Sequence, residues 1–162
     1  MLSQKLSEFL RLLCLRSLDI LTVRAGADAI GWEPLTVPKT TIEPRPFYCA
    51  RMRIKDNNGY DFFLCADETF CCKLLESVFH LPPDPSDAEM LCGGLAEFVN
   101  IIIGASSDDL SADNGASIMN IPEGGLSRDL VNPLLSFPYS EMSLRTTMGN
   151  YLLGIAETGG AG

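Results

Sequence analysis

The chain has 162 residues, 46% of them hydrophobic, and sets 21 acidic side chains against 12 basic ones for a formal charge of −9 and a pI near 4.5. That length suits one domain, residues 1–162, able to bury a core without disulfides or a structural metal. The acidity argues against a nucleic-acid partner, an anionic membrane surface or a free phosphorylated metabolite, each of which calls for a Lys/Arg patch.

The opening "MLSQKLSEFLRLLCLRSLDIL" is leucine-rich, but Lys5, Glu8, Arg11, Arg16 and Asp19 interrupt it too often for a membrane span or a signal segment. Leu6, Phe9, Leu10, Leu13 and Ile20 fall near helical spacing, so an amphipathic helix is predicted over about 3–23. Gly26, Gly31, Pro34 and Pro38 then punctuate an irregular stretch in which Trp32 packs at the core edge. "TTIEPRP" reads as an edge strand, since Pro44 and Pro46 would remove ladder donors from a central one. From Tyr48 the period becomes two: Tyr48, Ala50, Met52 and Ile54 alternate with Cys49, Arg51, Arg53 and Lys55, a strand with one buried and one wet face. "DNNG" supplies a tight hairpin, and "YDFFLCA" returns as a more buried antiparallel strand.

"DETFCCKLLESVFHL" starts with an acidic cap and would bury Phe70, Leu74, Leu75 and Val78 before the "PPDP" break. A second helix is predicted from Ser86, whose spacing to Glu89 matches a capping box, to about Gly104 as a left-handed C-cap. After the polar "SSDDLSADNG" come a strand "ASIMNIP" stopped by Pro122, turn chemistry in "PEGGL", and antiparallel strands "LLSFPYS", "EMSLRTT" and "YLLGIAE" with a "MGN" turn. The tail 158–162 has nothing to pack and should fray. Strands and helices come in groups rather than alternating singly, which predicts an α+β domain: an antiparallel-rich sheet with helices packed on it.

Little of the chain offers catalytic chemistry. Six cysteines sit among apolar residues without C-x-x-C spacing and read as reduced core thiols of a cytoplasmic protein. His80, the lone histidine, lacks the company of a triad or metal cluster and reads as a helix-end residue. "DDLSAD" lacks the ligand spacing of a calcium loop, and no metal site is expected.

The stretch "GGLAEFVNIIIG", 93–104, is different. At ~100° per residue, with Glu97 as zero, Gly93, Gly104, Asn100 and Met90 lie at about −40°, −20°, −60° and +20°. Leu91, Leu95, Phe98, Val99 and Ile102 gather opposite. Glu97 and Asn100 therefore stand on a bare stripe between two glycines, each of which costs a helix roughly 0.5–1 kcal/mol against alanine. A solvated face of an ordinary amphipathic helix is the competing reading. An amide orients a water and a carboxylate pairs with a cation, so together the two can complete the active site of another molecule that brings its own metal and lysine.

On these residues "LAEFVNIIIGAS" resembles the E-x-x-N-x-x-x-G helix of the CheX/CheC chemotaxis phosphatases, and the element order from about Thr40 to Glu157 is similar to CheX. The resemblance implies hydrolysis of the aspartyl phosphate on a CheY-like response-regulator receiver. Glu97 would pair with the receiver's active-site lysine and Asn100 would place the attacking water. Mg²⁺ is then expected on the receiver and no cofactor on this chain. Pro122 stands about where the family has a proline. Gly93 departs from the family's Asp or Ser four residues before the Glu, which puts a helper contact in doubt. A single copy of the helix is more like CheX than CheC and implies a cytoplasmic homodimer. The alternative is a non-catalytic module that binds a receiver or a flagellar-switch component with the same face, Gly93, Gly104 and Pro122 contributing to the partner contact.

Overall fold

The computed structural model describes residues 3–34, 47–55, 59–106, 117–118 and 121–159. Helix α1 (Gln4–Ala25) starts where the Ser3 hydroxyl accepts from the Leu6 N–H and stops at Gly26, whose φ of 64° supplies the left-handed cap. Its inward side is Leu6, Leu10, Leu13, Cys14, Ser17 and Leu21. Helix α2 (Glu68–Ser77) is capped by Asp67, whose carboxylate accepts from the Phe70 N–H, and buries Phe70, Cys71, Leu74 and Leu75. It closes at His80, an exposed residue with φ 54°. Helix α3 (Ala88–Ala105) begins one residue later than the capping-box spacing suggests. The Ser86 hydroxyl donates to Asp84, and Asp87 takes the cap by accepting from the Met90 N–H. Gly104 is helical rather than a left-handed cap, and Ser106 ends the helix.

All strand pairs are antiparallel. In order across the sheet stand β1 (Ala29–Pro34), β6 (Tyr139–Thr146), β7 (Gly149–Glu157), β3 (Tyr60–Ala66), β2 (Tyr48–Lys55) and β4 (Ser117–Ile118), with β5 (Glu123–Leu126) also paired to β2. The predicted α+β class is therefore observed. Strand β1 replaces the irregular stretch expected around Trp32, and its terminal Pro34 is tolerated because β1 lies at the sheet edge. "PEGGL" is strand rather than turn. A one-turn helix α4 (Ser127–Leu130) follows β5, and "LLSFPYS" begins inside a 3-10 turn (Asn132–Ser136), with strand geometry only from Tyr139. "TTIEPRP", Ser107 to Gly115 of "SSDDLSADNG" and Asp56 to Asn58 of the predicted hairpin lie outside the described residues.

Helices α1, α2 and α3 cover one face of the sheet over a core that includes Met52, Phe62, Leu64, Phe70, Phe98 and Tyr151. At the centre the Tyr151 hydroxyl and the Ser17 hydroxyl share a 2.7 Å hydrogen bond. The other face carries a smaller cluster in which Cys49, Phe63 and Cys65 meet Val131 and Leu134. Cys49, expected on a wet face, is buried there because α4 and the 3-10 turn cover that end of β2. The tail is tied down beyond the point expected: Thr158 is buried and donates to Asp61 at 2.8 Å, while 160–162 lie outside the described residues.

A candidate protein-docking face on helix α3

Helix α3 is long and apolar enough to cross a membrane by length and composition. Its apolar side chains are otherwise engaged: Leu91, Leu95, Phe98, Val99, Ile102 and Ile103 are buried in the core, as the wheel predicts. Two glycines let the helix settle this deeply. A Cβ on Gly94 would stand 2.9 Å from Cδ2 of Leu75, so glycine here admits α2. A Cβ on Gly124 of β5 would stand 2.6 Å from the Cys92 carbonyl oxygen, so glycine there lets the strand pass directly beneath the helix backbone. The Cys92 thiol donates to the next carbonyl, that of Gly125, at 3.3 Å. Burial raises the Cys92 and Cys71 thiols above their ordinary range. Gly124 is the positional requirement that sequence reading missed. A Gly-Gly pair after a proline looks like a turn until the helix above it is known.

The outward side contrasts with this. Gly93, Glu97, Asn100 and Gly104 are all exposed on one face, as the periodicity predicts, whereas Met90 is half-buried against the core. Among the described residues a Cβ on Gly93 or Gly104 would meet nothing within 4 Å, and their packing requires neither glycine. Among the described residues neither Glu97 nor Asn100 has a side-chain hydrogen bond or ion pair, so the carboxylate and the amide are free for another molecule. Spaced i and i+3, their Cβ atoms are roughly 5–6 Å apart, a span that one bound group can bridge. Pro122 is not on this helix. It is half-buried and leads into β5, so it belongs to the flank of α3, where Arg51 pairs with Glu123 at 3.1 Å.

Among the described residues no group of three or more His, Cys, Asp or Glu side chains can hold a metal ion. The face thus presents an acceptor-only carboxylate and a donor–acceptor amide on a rigid helix, with neither a nucleophile nor a cation beside them. Such a pair can position and polarise, and the reacting groups must come from elsewhere.

An antiparallel sheet with three helices on one face and an outward α3 between α2 and β5 is the fold of solved CheX and CheC-like proteins. Solved structures share it over nearly the whole chain. CheX from Desulfovibrio desulfuricans is 14% identical with a TM-score of 0.63, the match covering 92% of this chain and 98% of that one. CheX from Borrelia burgdorferi, solved in complex with CheY, BeF3 and Mg²⁺, is 14% identical with a TM-score of 0.66, covering 90% and 95%. FliY from Thermotoga maritima is 9% identical with a TM-score of 0.59, covering 98% and 92%. No protein-family model matches the chain, and no curated protein matches it by sequence. At these identities the likeness establishes the fold.

Proposed function

We propose that the protein is a phosphatase that accelerates hydrolysis of the aspartyl phosphate on a CheY-like response-regulator receiver. The observation that carries this reading is the pairing of Glu97 and Asn100 on an exposed helix face, without partners of their own, between two glycines that open space allows to be anything. In the reaction a water attacks phosphorus in line, the bond to the aspartyl oxygen breaks, and inorganic phosphate leaves a free carboxylate. Positioning and electrostatics supply most of such catalysis. Asn100 accepts a hydrogen bond from that water and holds it in line. Glu97 pairs with the receiver's active-site lysine and fixes the two surfaces in register. Mg²⁺ is expected on the receiver, where it neutralises the phosphoryl oxygens. A strongly acidic chain need then bind no phosphate alone. The complex of the Borrelia burgdorferi CheX with CheY, BeF3 and Mg²⁺ supports the choice of partner, since that protein has this fold. By the same resemblance the protein acts in the cytoplasm as a homodimer, an expectation that light scattering on the purified protein checks.

The test follows the decay of phosphorylated receivers with and without the protein. Acceleration that Asn100→Ala abolishes supports the reading. Intrinsic decay for every receiver tried overturns it. A second reading, a non-catalytic module that binds a receiver or a flagellar-switch component through the same face, is favoured by Gly93 in place of the family's Asp or Ser and by the shared fold of FliY. Tight binding of a phosphorylated receiver without faster turnover would establish that reading instead.

A further inference from the structure

The charge of this protein is unevenly distributed. Between Lys73 and Arg128 there is no lysine or arginine, while the same segment holds nine of the 21 acidic residues. The other 12 acidic residues balance the 12 basic ones, so the whole charge of −9 belongs to the segment that contains α3 and its flanks. The described part of it shows where the charge is displayed. Glu97 and Glu89 are exposed on α3, at about 0° and −80° on its wheel. Asp87 is exposed at its N-cap, and Glu76 and Asp84 are exposed near Cys72 of α2, the helix whose Leu75 packs against Gly94 of α3. None of these five carboxylates makes an ion pair among the described residues. By contrast Glu123, on the strand flank, is neutralised by Arg51.

Asp87 caps α3 and Asp84 accepts from Ser86, but among the described residues no ion pair offsets the mutual repulsion of these five carboxylates. Their common field extends about a Debye length into solution, ~10 Å at 0.1 M salt and ~30 Å at 0.01 M. We infer that this face docks a receiver whose phosphorylation pocket is rimmed by lysine and arginine, and that the acidic rim selects such receivers and speeds their approach. The inference rests on the phosphatase reading for the identity of the partner. It adds the charge of the surface that partner must carry. A receiver with an acidic rim is turned away by the same field, which a contact made by Glu97 and Asn100 alone cannot achieve.

The experiment measures association of the protein with receivers locked by beryllofluoride, one with a basic rim and one with an acidic rim, at about 0.01 M and about 0.1 M salt, where the screening length changes threefold. The basic receiver is expected to associate about tenfold faster at the lower salt, and the acidic one to show no such gain. Reversing two rim charges outside the Glu97/Asn100 pair, in Glu76→Lys/Glu89→Lys, should slow association about tenfold at low salt and flatten its salt dependence. A single reversal on α1, Asp19→Lys, should change it less than about twofold. If the doubly reversed protein loses its helical signal, Glu76→Gln/Glu89→Gln reads the same effect at about threefold. Association that ignores salt, that quickens on charge reversal, that responds equally to Asp19→Lys, or that is absent for every receiver at low salt overturns the inference. Turnover of the phosphorylated receiver at saturation separates the two claims. Intact turnover with no charge effect removes the acidic-rim selection and keeps the phosphatase. The expected charge effects with intrinsic phosphate decay remove the phosphatase and keep the selection.

Discussion

The two sides of α3 use glycine for opposite reasons. On the packed side Gly94 and, beneath it, Gly124 are dictated from within, because a single added carbon would stand 2.9 Å from Leu75 or 2.6 Å from the Cys92 carbonyl. On the open side a Cβ on Gly93 or Gly104 would meet nothing within 4 Å among the described residues, so the described packing gives no reason for either. A residue type that costs a helix stability and answers no internal need points to something outside the molecule. The packed side thus fixes where the open side stands, and on the proposed reading the open side carries what a partner would meet.

The largest way to break this comparison acts on the open side. Asn100→Ala should slow receiver dephosphorylation by about 100-fold or more, because losing the group that aligns the water misplaces the attack. Its thermal or denaturant stability should stay within about 0.5 kcal/mol of the parent, since the side chain is exposed and unpartnered. Single-turnover decay of the phosphorylated receiver together with a urea titration reads both. An equal loss of stability would place Asn100 among the structural residues and erase the contrast. On the packed side Gly124→Ala should destabilise the fold by about 1–3 kcal/mol, the cost of forcing a carbon into a filled space under helix backbone. A urea midpoint unchanged by that substitution would mean that α3 is not held down by β5.

How much of this was readable in the sequence depends on whether a residue's role is local. Strands β2 and β3 and helices α1 and α2 announce themselves through period and caps such as Ser3 and Asp67, because each is decided within a few residues. Glu97 and Asn100 were legible for the same reason, since helical period alone puts them opposite Leu95 and Phe98. Strand β1 was not legible, because Gly31 and Pro34 look like loop residues until the strand is known to lie at the edge. Cys49 misled because its face is wet or dry according to where Leu134, distant in sequence, comes to rest. Gly124 was illegible for a related reason, as its requirement arises from a helix some thirty residues away in the chain. The apolar run "LLSFPYS" became a 3-10 turn because Pro133 starts it and Leu134 is drawn into the smaller core.

The dryness of the core beneath the helices can be read by pH. Burial pushes the Cys14 thiol from 9.0 up to about 12 and raises Cys71 and Cys92 as well. A raised pKa means that the fold holds the neutral thiol while the unfolded chain ionises. Stability is therefore full below pH 9 and falls as pH rises from there toward 12. The Cys14 thiol contributes a slope of up to about 1.4 kcal/mol per pH unit in that window. Urea titrations across alkaline pH should show this decline, and a flat profile would contradict a dry core under α1 and α3.

The smallest effect is also the most discriminating, because stability and function should move in opposite directions. Gly93 is helical, exposed and free of neighbours, so Gly93→Ala should stabilise the protein by about 0.5–1 kcal/mol through the better helix propensity of alanine. If a receiver seats closely against the bare stripe, the same methyl group stands in the contact and raises KM for the phosphorylated receiver, leaving kcat nearly unchanged. Gly93→Asp introduces the residue type that the family resemblance leads one to expect there and separates two explanations of the glycine. A lower KM for Gly93→Asp, together with a higher one for Gly93→Ala, identifies the position as a site that has lost a helper side chain. Higher KM values for both identify it as clearance for the partner, since then any added atom obstructs the approach whatever its chemistry. Unchanged KM in both variants with the alanine still stabilising would detach Gly93 from the partner surface and confine the contact to Glu97, Asn100 and the residues toward Gly104.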